Sequence, residues 1–209
     1  MENKLSIVSR RILKPILGKN KLAMERATNY KNIMVSQGIK ARLGTFIGGE
    51  LNSCLQFTAI SSDMTTATKS FTELSKNEEI IEMMSIREDD PSEHLIGPEV
   101  YRTIFGQPSG DNNFLLIREY DVDRKYIPQT IELLNEVEEI GKDEDTKVLA
   151  LYPIIADKMD SLFVVYYYSS FEAMGDIIDR IGMSDAFQNV VNRANEIGKL
   201  KTSNVVKII

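Results

Sequence analysis

The sequence predicts an α+β fold made of two tandem ferredoxin-like units, on three observations. The passage SCLQFTAISSDMTTA, residues 53–67, has a counterpart about 108 positions later in SLFVVYYYSSFEAM, residues 161–174; each reads as a strand, a Ser-Ser pair and a helix start. Around these passages both halves spell strand, helix, strand, strand, helix, strand, the split βαβ order that sets both helices on one face of an antiparallel sheet. Between the halves, Gly106-Gln107-Pro108-Ser109-Gly110-Asp111-Asn112 is rich in turn formers and has no apolar periodicity. The expected units are therefore residues 1–107 and 108–209.

Each element has its own justification. The opening strands are SIVSRRIL and LLIREYDV, in a register that sets Arg10 opposite Arg118 and Ile12 opposite Tyr120. Amphipathic helices follow over 21–37 and 124–141, with Gly38 and Gly141 as C-terminal stops. ARLGTFIGG and KVLALYPII are strand-like and lead by short polar turns into the third strands quoted above. The second helical region of each unit is interrupted and restarts at a capping residue, Asn77 in one and Ser184 in the other. EVYRTIFG and SNVVKII close the units, and REDDPSEHLIGP, residues 87–98, reads as an irregular insertion in the first unit alone.

Composition excludes several functions. At 209 residues, 43% hydrophobic and 27% charged, the chain is long and apolar enough for one large domain or two small ones, each with a core. A net charge of −6 argues against a nucleic-acid surface, which needs clustered Lys and Arg. The N-terminal Lys4, Arg10, Arg11, Lys14, Lys19 and Lys21 superficially suggest a targeting peptide, but the apolar stretch from Leu5 to Ser9 is short and cut by Arg10, so it reads as a strand. No apolar run approaches the ~20 residues of a membrane span. The single Cys54 permits no intrachain disulfide and suits a reducing, cytoplasmic setting, as a small buried hydrophobe or a reactive thiol.

Helices on one side leave the other sheet face bare, and two such units solve this by packing sheet to sheet. Strand alternation then sorts the tyrosine strand into Phe163, Val165 and Tyr167 on one face and Leu162, Val164, Tyr166 and Tyr168 on the other. The first set, matched to Leu55, Phe57 and Ala59, is the more apolar and is expected beneath the helices. The second, matched to Cys54, Gln56, Thr58 and Ile60, is expected between the sheets, together with Arg10, Arg118 and Tyr120.

This arrangement, with the passage YYYSSFEAMGDIIDRIGMSDAF, resembles the dimeric α+β barrel superfamily, which includes antibiotic-biosynthesis monooxygenases, haem-degrading monooxygenases and stress-responsive barrel proteins. The resemblance covers nearly the whole chain, as a fused pair forming an intramolecular α+β barrel, and a homodimer is a further expected state. It implies, in the cofactor-free enzymes, a pocket between helices and sheet with polar groups such as Asn, Tyr, Trp or His, and in the haem-degrading ones a helical His ligand to iron. The chain has no Trp, and its one His, His94, lies outside either helix, so no cofactor is expected and no residue receives a catalytic role.

The candidate ligand-binding residues are Arg10, Arg118, Tyr120, Tyr166 and Tyr168. A guanidinium near apolar surface needs an anionic or carbonyl partner, from a neighbouring Glu or Asp or from a ligand. The tyrosines, with Tyr152, either pack a half-buried strand or orient a ligand. His94, beside Asp89, Asp90 and Glu93, belongs to a solvated acidic loop or to a metal or general-base site; no metal site is expected. Gly44, Gly48 and Gly49 form no nucleotide-binding loop. The acidic run 136–139 reads as a solvated helix face, and Met83 and Met84 as core. Two functions remain: a small-molecule-binding protein, monooxygenase-like and cofactor-independent on a small aromatic or polyketide-like compound, or a non-catalytic barrel filled by its own side chains.

Overall fold

The structure, a computed structural model, describes residues 5–209; Lys4 of the N-terminal basic group lies outside the described residues. The strands are β1 (Ile7–Pro15), β2 (Lys40–Gly48), β3 (Leu55–Ser61), β4 (Glu93–Phe105), β5 (Phe114–Val122), β6 (Thr146–Ile155), β7 (Ser161–Tyr168) and β8 (Gly198–Ile208). They close into one barrel in the order β1-β3-β2-β8-β5-β7-β6-β4. Read from β4, the first four neighbours are β4-β1-β3-β2, and the rest repeat that order as β8-β5-β7-β6. The pairs β2–β8 and β4–β6 close the ring, so neither half keeps a free sheet edge.

Among the described residues six α-helices lie outside the barrel: α1 (Asn20–Ser36), α2 (Met64–Leu74), α3 (Glu78–Asp89), α4 (Ile127–Ile140), α5 (Phe171–Ile177) and α6 (Asp185–Ile197). Their starts are written in the sequence. Asp63, Asn77, Ser170 and Ser184 each accept a backbone N–H three residues on, from Thr66, Ile80, Ala173 and Phe187, which satisfies one orphan donor of the first turn. Gly38, just past α1, takes a left-handed φ of 76° as expected. Among the described residues no helix is long and apolar enough to cross a membrane.

Three cores result. Leu13, Ala27, Met34, Leu43, Leu55, Phe57, Leu74 and Ile80 pack between the first half's sheet and its helices, with Met84 against them. The barrel interior holds Val8, Ile12, Phe46, Tyr101, Ile117, Leu149, Phe163, Val165 and Tyr167. Beneath the helices of the second half lie Leu116, Val148, Leu162, Val164, Tyr166 and Tyr168 with Leu134, Val137, Met174, Ile177 and Val190.

The side-chain directions expected for the first half therefore hold, and those for β7 are reversed: Phe163, Val165 and Tyr167 fill the barrel, while Leu162, Val164, Tyr166 and Tyr168 face the helices. The cause is a slip of one residue. The caps Asp63 and Ser170 are equivalent and stand 107 positions apart, as do Asn77 and Ser184. Matching the two Ser-Ser pairs adds one to that spacing, and in a strand a shift of one exchanges the faces. Since β7 is buried on both faces, polarity alone could not correct the slip.

Residues 87–98 also differ from expectation. They are the last turn of α3 and the first half of β4, which begins at Glu93. His94 sits in that strand opposite Lys14, with its side chain exposed. The join between the halves is held down: Arg42 on β2 donates to the carbonyls of Ser109 and, at 2.6 Å, Asn112.

Candidate functional site in the second half

The strand register arranges the helix-facing surface of β5, β7 and β6 in three rows. Arg118, Val164 and Ala150 form one row, Leu116, Tyr166 and Val148 the next, and Phe114, Tyr168 and Thr146 the third. Above them α4, α5 and α6 leave a cavity of about 290 Å³. Arg118, Tyr120, Thr146, Tyr166 and Tyr168 line its floor, Val137 and Gly141 one wall, and Ile177, Phe187, Gln188, Val191 and Asn195 the other. A lobe of about 70 Å³ continues between α4 and α6 past Arg118, Tyr120 and Tyr166.

The roof is irregular. Between α5 and α6 the chain makes a π-helical turn, Ile178–Gly182, a conformation often found at functional sites. Ile178, Ile181, Gly182 and Met183 from this segment edge the cavity, and Met183 is 70% exposed. Two ion pairs hold the roof. Arg180 donates to both oxygens of Glu144, at 2.6 Å to Oε2, and Arg193 on α6 donates to both of Glu136 on α4, at 3.0 Å to Oε1. Glu136 thus belongs to a helix-to-helix clamp as well as to a solvated face.

Among the described residues, Arg118 is the only ionisable group on the lining apart from the tyrosines. Its guanidinium carbon lies 5.6 Å from the centre of the Tyr166 ring, and among the described residues no carboxylate is within ion-pair range of it. Its Nε and the hydroxyl oxygen of Thr146 are both buried with no partner at hydrogen-bond geometry, although the phenols of Tyr120 and Tyr166 lie close to the guanidinium and that of Tyr168 close to the Thr146 hydroxyl. Burial pulls the Arg118 pKa down, but the phenols of Tyr120, Tyr166 and Tyr168 outweigh this and hold the net shift upward, so it is a cation. Burial pushes Tyr168 up to about 12 against the Arg118 charge and the nearby Thr146 hydroxyl, and pushes Tyr166 further up. Both phenols are neutral hydrogen-bonding groups at physiological pH.

Of the five residues singled out in the sequence, four meet here, and Arg10 does not. Arg10 lies inside the barrel, where its Nε donates to Gln56 Oε1 at 3.0 Å and its Nη1 is 4.0 Å from Glu99 Oε2. Its guanidinium stacks 4.7 Å above Phe163, and Tyr101 Oη donates to Glu99 at 2.7 Å. The space beside it is only about 50 Å³, so the barrel interior is filled by its own side chains. The placement of Arg118 and Tyr120 between the sheets is likewise corrected: the 107-residue spacing makes Arg11 the counterpart of Arg118. Arg11 pairs across to Phe57 as Arg118 pairs to Val164.

Sequence reasoning missed Thr146, Gln188 and Asn195. Thr146 opens a strand and the other two sit on a helix face, positions without a motif. No imidazole lines the cavity, and His94 is on the exterior of β4, so these residues do not fit an imidazole-ligated haem. Among the described residues no cluster of three His, Cys, Asp or Glu side chains is placed to hold a metal ion.

The fold and this cavity define an α+β barrel protein with a helix-covered pocket on one half. No family model and no curated protein sequence matches the chain. Solved structures do. A candidate monooxygenase of Fusobacterium nucleatum superposes with a TM-score of 0.68 at 12% identity, over 99% of this chain and 93% of its own. An anthrone oxidase-like protein gives 0.65 at 10% identity, over 100% and 92%. A chlorite dismutase of Candidatus Nitrospira defluvii, solved with imidazole, gives 0.56 at 7% identity, over 100% and 92%. At these identities the likeness is one of fold: the chain shares the α+β barrel of these structures.

Proposed function

We propose that the chain is a small-molecule-binding enzyme of cofactor-independent, monooxygenase-like kind, acting on a compact aromatic or polyketide-like compound. Residues 108–209 carry the site, on Arg118, Tyr120, Tyr166 and Tyr168, and residues 1–107 form the companion repeat that closes the barrel. The observation that carries this reading is the cavity's composition, one cation and several hydroxyls in apolar walls, the pattern of a site that fixes a ligand by a few polar contacts. Fold analogy with the monooxygenase and anthrone oxidase-like structures supplies the reaction class and nothing finer.

In this reading Arg118 stabilises the oxyanion of an acidic phenol or ketone. That electron-rich anion reduces O2. For an activated methylene, one oxygen atom becomes the new carbonyl and the other leaves as water with the two methylene hydrogens, so no external reductant enters. Tyr166 and Tyr168, held neutral, donate hydrogen bonds and are poor bases. A purely binding role is favoured by one observation: among the described residues no carboxylate or imidazole lines the cavity to act as general base.

The test is oxygen uptake by chelator-treated protein with a panel of anthrones and dihydroxynaphthalenes. Uptake that needs the protein, labels the product from ¹⁸O2 and is lost in Arg118→Met and in the cavity-filling Val191→Trp supports the enzyme. Compounds that bind without uptake leave the binding role alone, and a panel that neither binds nor reacts overturns the site.

A further inference from the structure

The two unpartnered atoms in the cavity stand at opposite corners of its floor. Arg118 is in the first row on β5 and Thr146 in the third row on β6, with Tyr166 at the centre. With strands about 4.8 Å apart and about 3.3 Å per residue, the corners are roughly 16 Å apart between Cα atoms. The Arg118 side chain reaches inward to Tyr166, which leaves a span on the order of 10 Å between its donors and the Thr146 hydroxyl. Water at either corner could satisfy a hydrogen bond, but it would leave the Arg118 charge without a counter-ion. Between the corners the walls are apolar, from Val137, Ile177, Ile181 and Phe187.

We propose that this cavity takes a flat, elongated monoanion with oxygen at both ends: an ionised oxygen on Arg118, a hydroxyl or carbonyl on Thr146, and fused rings lying across Tyr166. The inference rests on the site assigned above and adds the ligand's charge, its length and Thr146 as a specificity-determining residue. One corner recognises charge through a charge-assisted hydrogen bond, which outweighs a neutral one. The other recognises a second oxygen at a fixed distance. A short acid would fill only one corner, and a long neutral compound would leave the cation unpaired.

Three probes separate these statements: 6-hydroxy-2-naphthoate, with oxygen at both ends; 2-naphthoate, without the hydroxyl; and 2-naphthol, without the carboxylate. Their binding to the intact protein is read by naphthalene fluorescence and calorimetry. The dioxygenated probe is expected to bind tightest. Arg118→Met should weaken both carboxylates roughly ten-fold or more and leave 2-naphthol unchanged, with Arg118→Lys between wild type and Met. Thr146→Val should weaken only 6-hydroxy-2-naphthoate, by about three- to ten-fold. Thermal unfolding of each variant checks the fold, and if Arg118→Met does not fold, the lysine and Thr146→Val arms decide. Equal binding of acid and naphthol, or an equal Thr146→Val penalty for both carboxylates, overturns the two-ended pose and leaves the cavity standing. If no probe binds, the pose and the site reading fall together.

Discussion

Arg11 and Arg118 occupy the same place in the two halves: each lies on the first strand of its unit, faces the helices, and pairs across to the third strand, at Phe57 and Val164. The cavities over them differ. Above Arg118 there is about 290 Å³, whereas the spaces bordering Arg11 are about 30 and 80 Å³. In the first half Met84 and Tyr30 border those small spaces, so one half is packed and the other is hollow.

That asymmetry separates the arginines in their effect on stability. Arg118→Met removes a half-buried charge that has no carboxylate partner and nearly conserves volume. Its unfolding free energy should stay within about 1 kcal/mol of wild type or rise, measured by urea denaturation. Arg10→Met takes the donor from buried Gln56 and the cation from Glu99, and should cost about 1–3 kcal/mol. Equal losses in the two variants would contradict the different roles assigned to them.

The caps test the repeat register. Ser170→Ala removes the acceptor for Ala173 N–H, 3.0 Å away, and should lower stability by about 1 kcal/mol. Ser169→Ala, one residue earlier, should change little. The reverse order of effects would contradict the 107-residue register.

Gly106 follows β4 with φ of 65°, and a Cβ there would lie 2.0 Å from the Val148 carbonyl oxygen. Gly106→Ala combines a disfavoured backbone with a clash against backbone that cannot move aside. It should cost more than about 1 kcal/mol, visible as a lower thermal midpoint.

Alkaline pH should unfold the protein through its buried tyrosines. Tyr167 is pushed up to about 12 by burial in the barrel, opposed by Arg42, and Tyr168 to about 12 beneath the helices, from an ordinary 10.0. A raised native pKa means that the unfolded chain ionises first. Stability is therefore constant below pH 10 and falls between pH 10 and 12, by about 1.4 kcal/mol per pH unit for each such group. Tyr167→Phe should flatten that fall in urea titrations across this range, and an unchanged slope would contradict it.

The element order, the helix ends and the capping residues were legible because each depends on local chemistry: Asn77 and Ser184 cap where a polar side chain interrupts a helical pattern. The three tyrosines were legible as a buried strand, but their directions were not. β7 lies between two cores, so the alternation of polarity that assigns a face was missing, and Ser169-Ser170 offered a false match to Ser61-Ser62. The cap Asp63, chemically equivalent to Ser170 though a different residue, carries the true register. Four of the five candidate ligand residues fell together because β5 and β7 are adjacent. Thr146 could not be found, since it has no motif and only the packed structure shows its hydroxyl buried at the cavity floor.

The most direct measurement is a crystal structure of the protein with 6-hydroxy-2-naphthoate. Density is expected beneath α4 and α6, with the carboxylate on Arg118, the rings over Tyr166 and the hydroxyl at Thr146. Density inside the barrel beside Arg10, or beneath the helices of the first half beside Arg11, would contradict it.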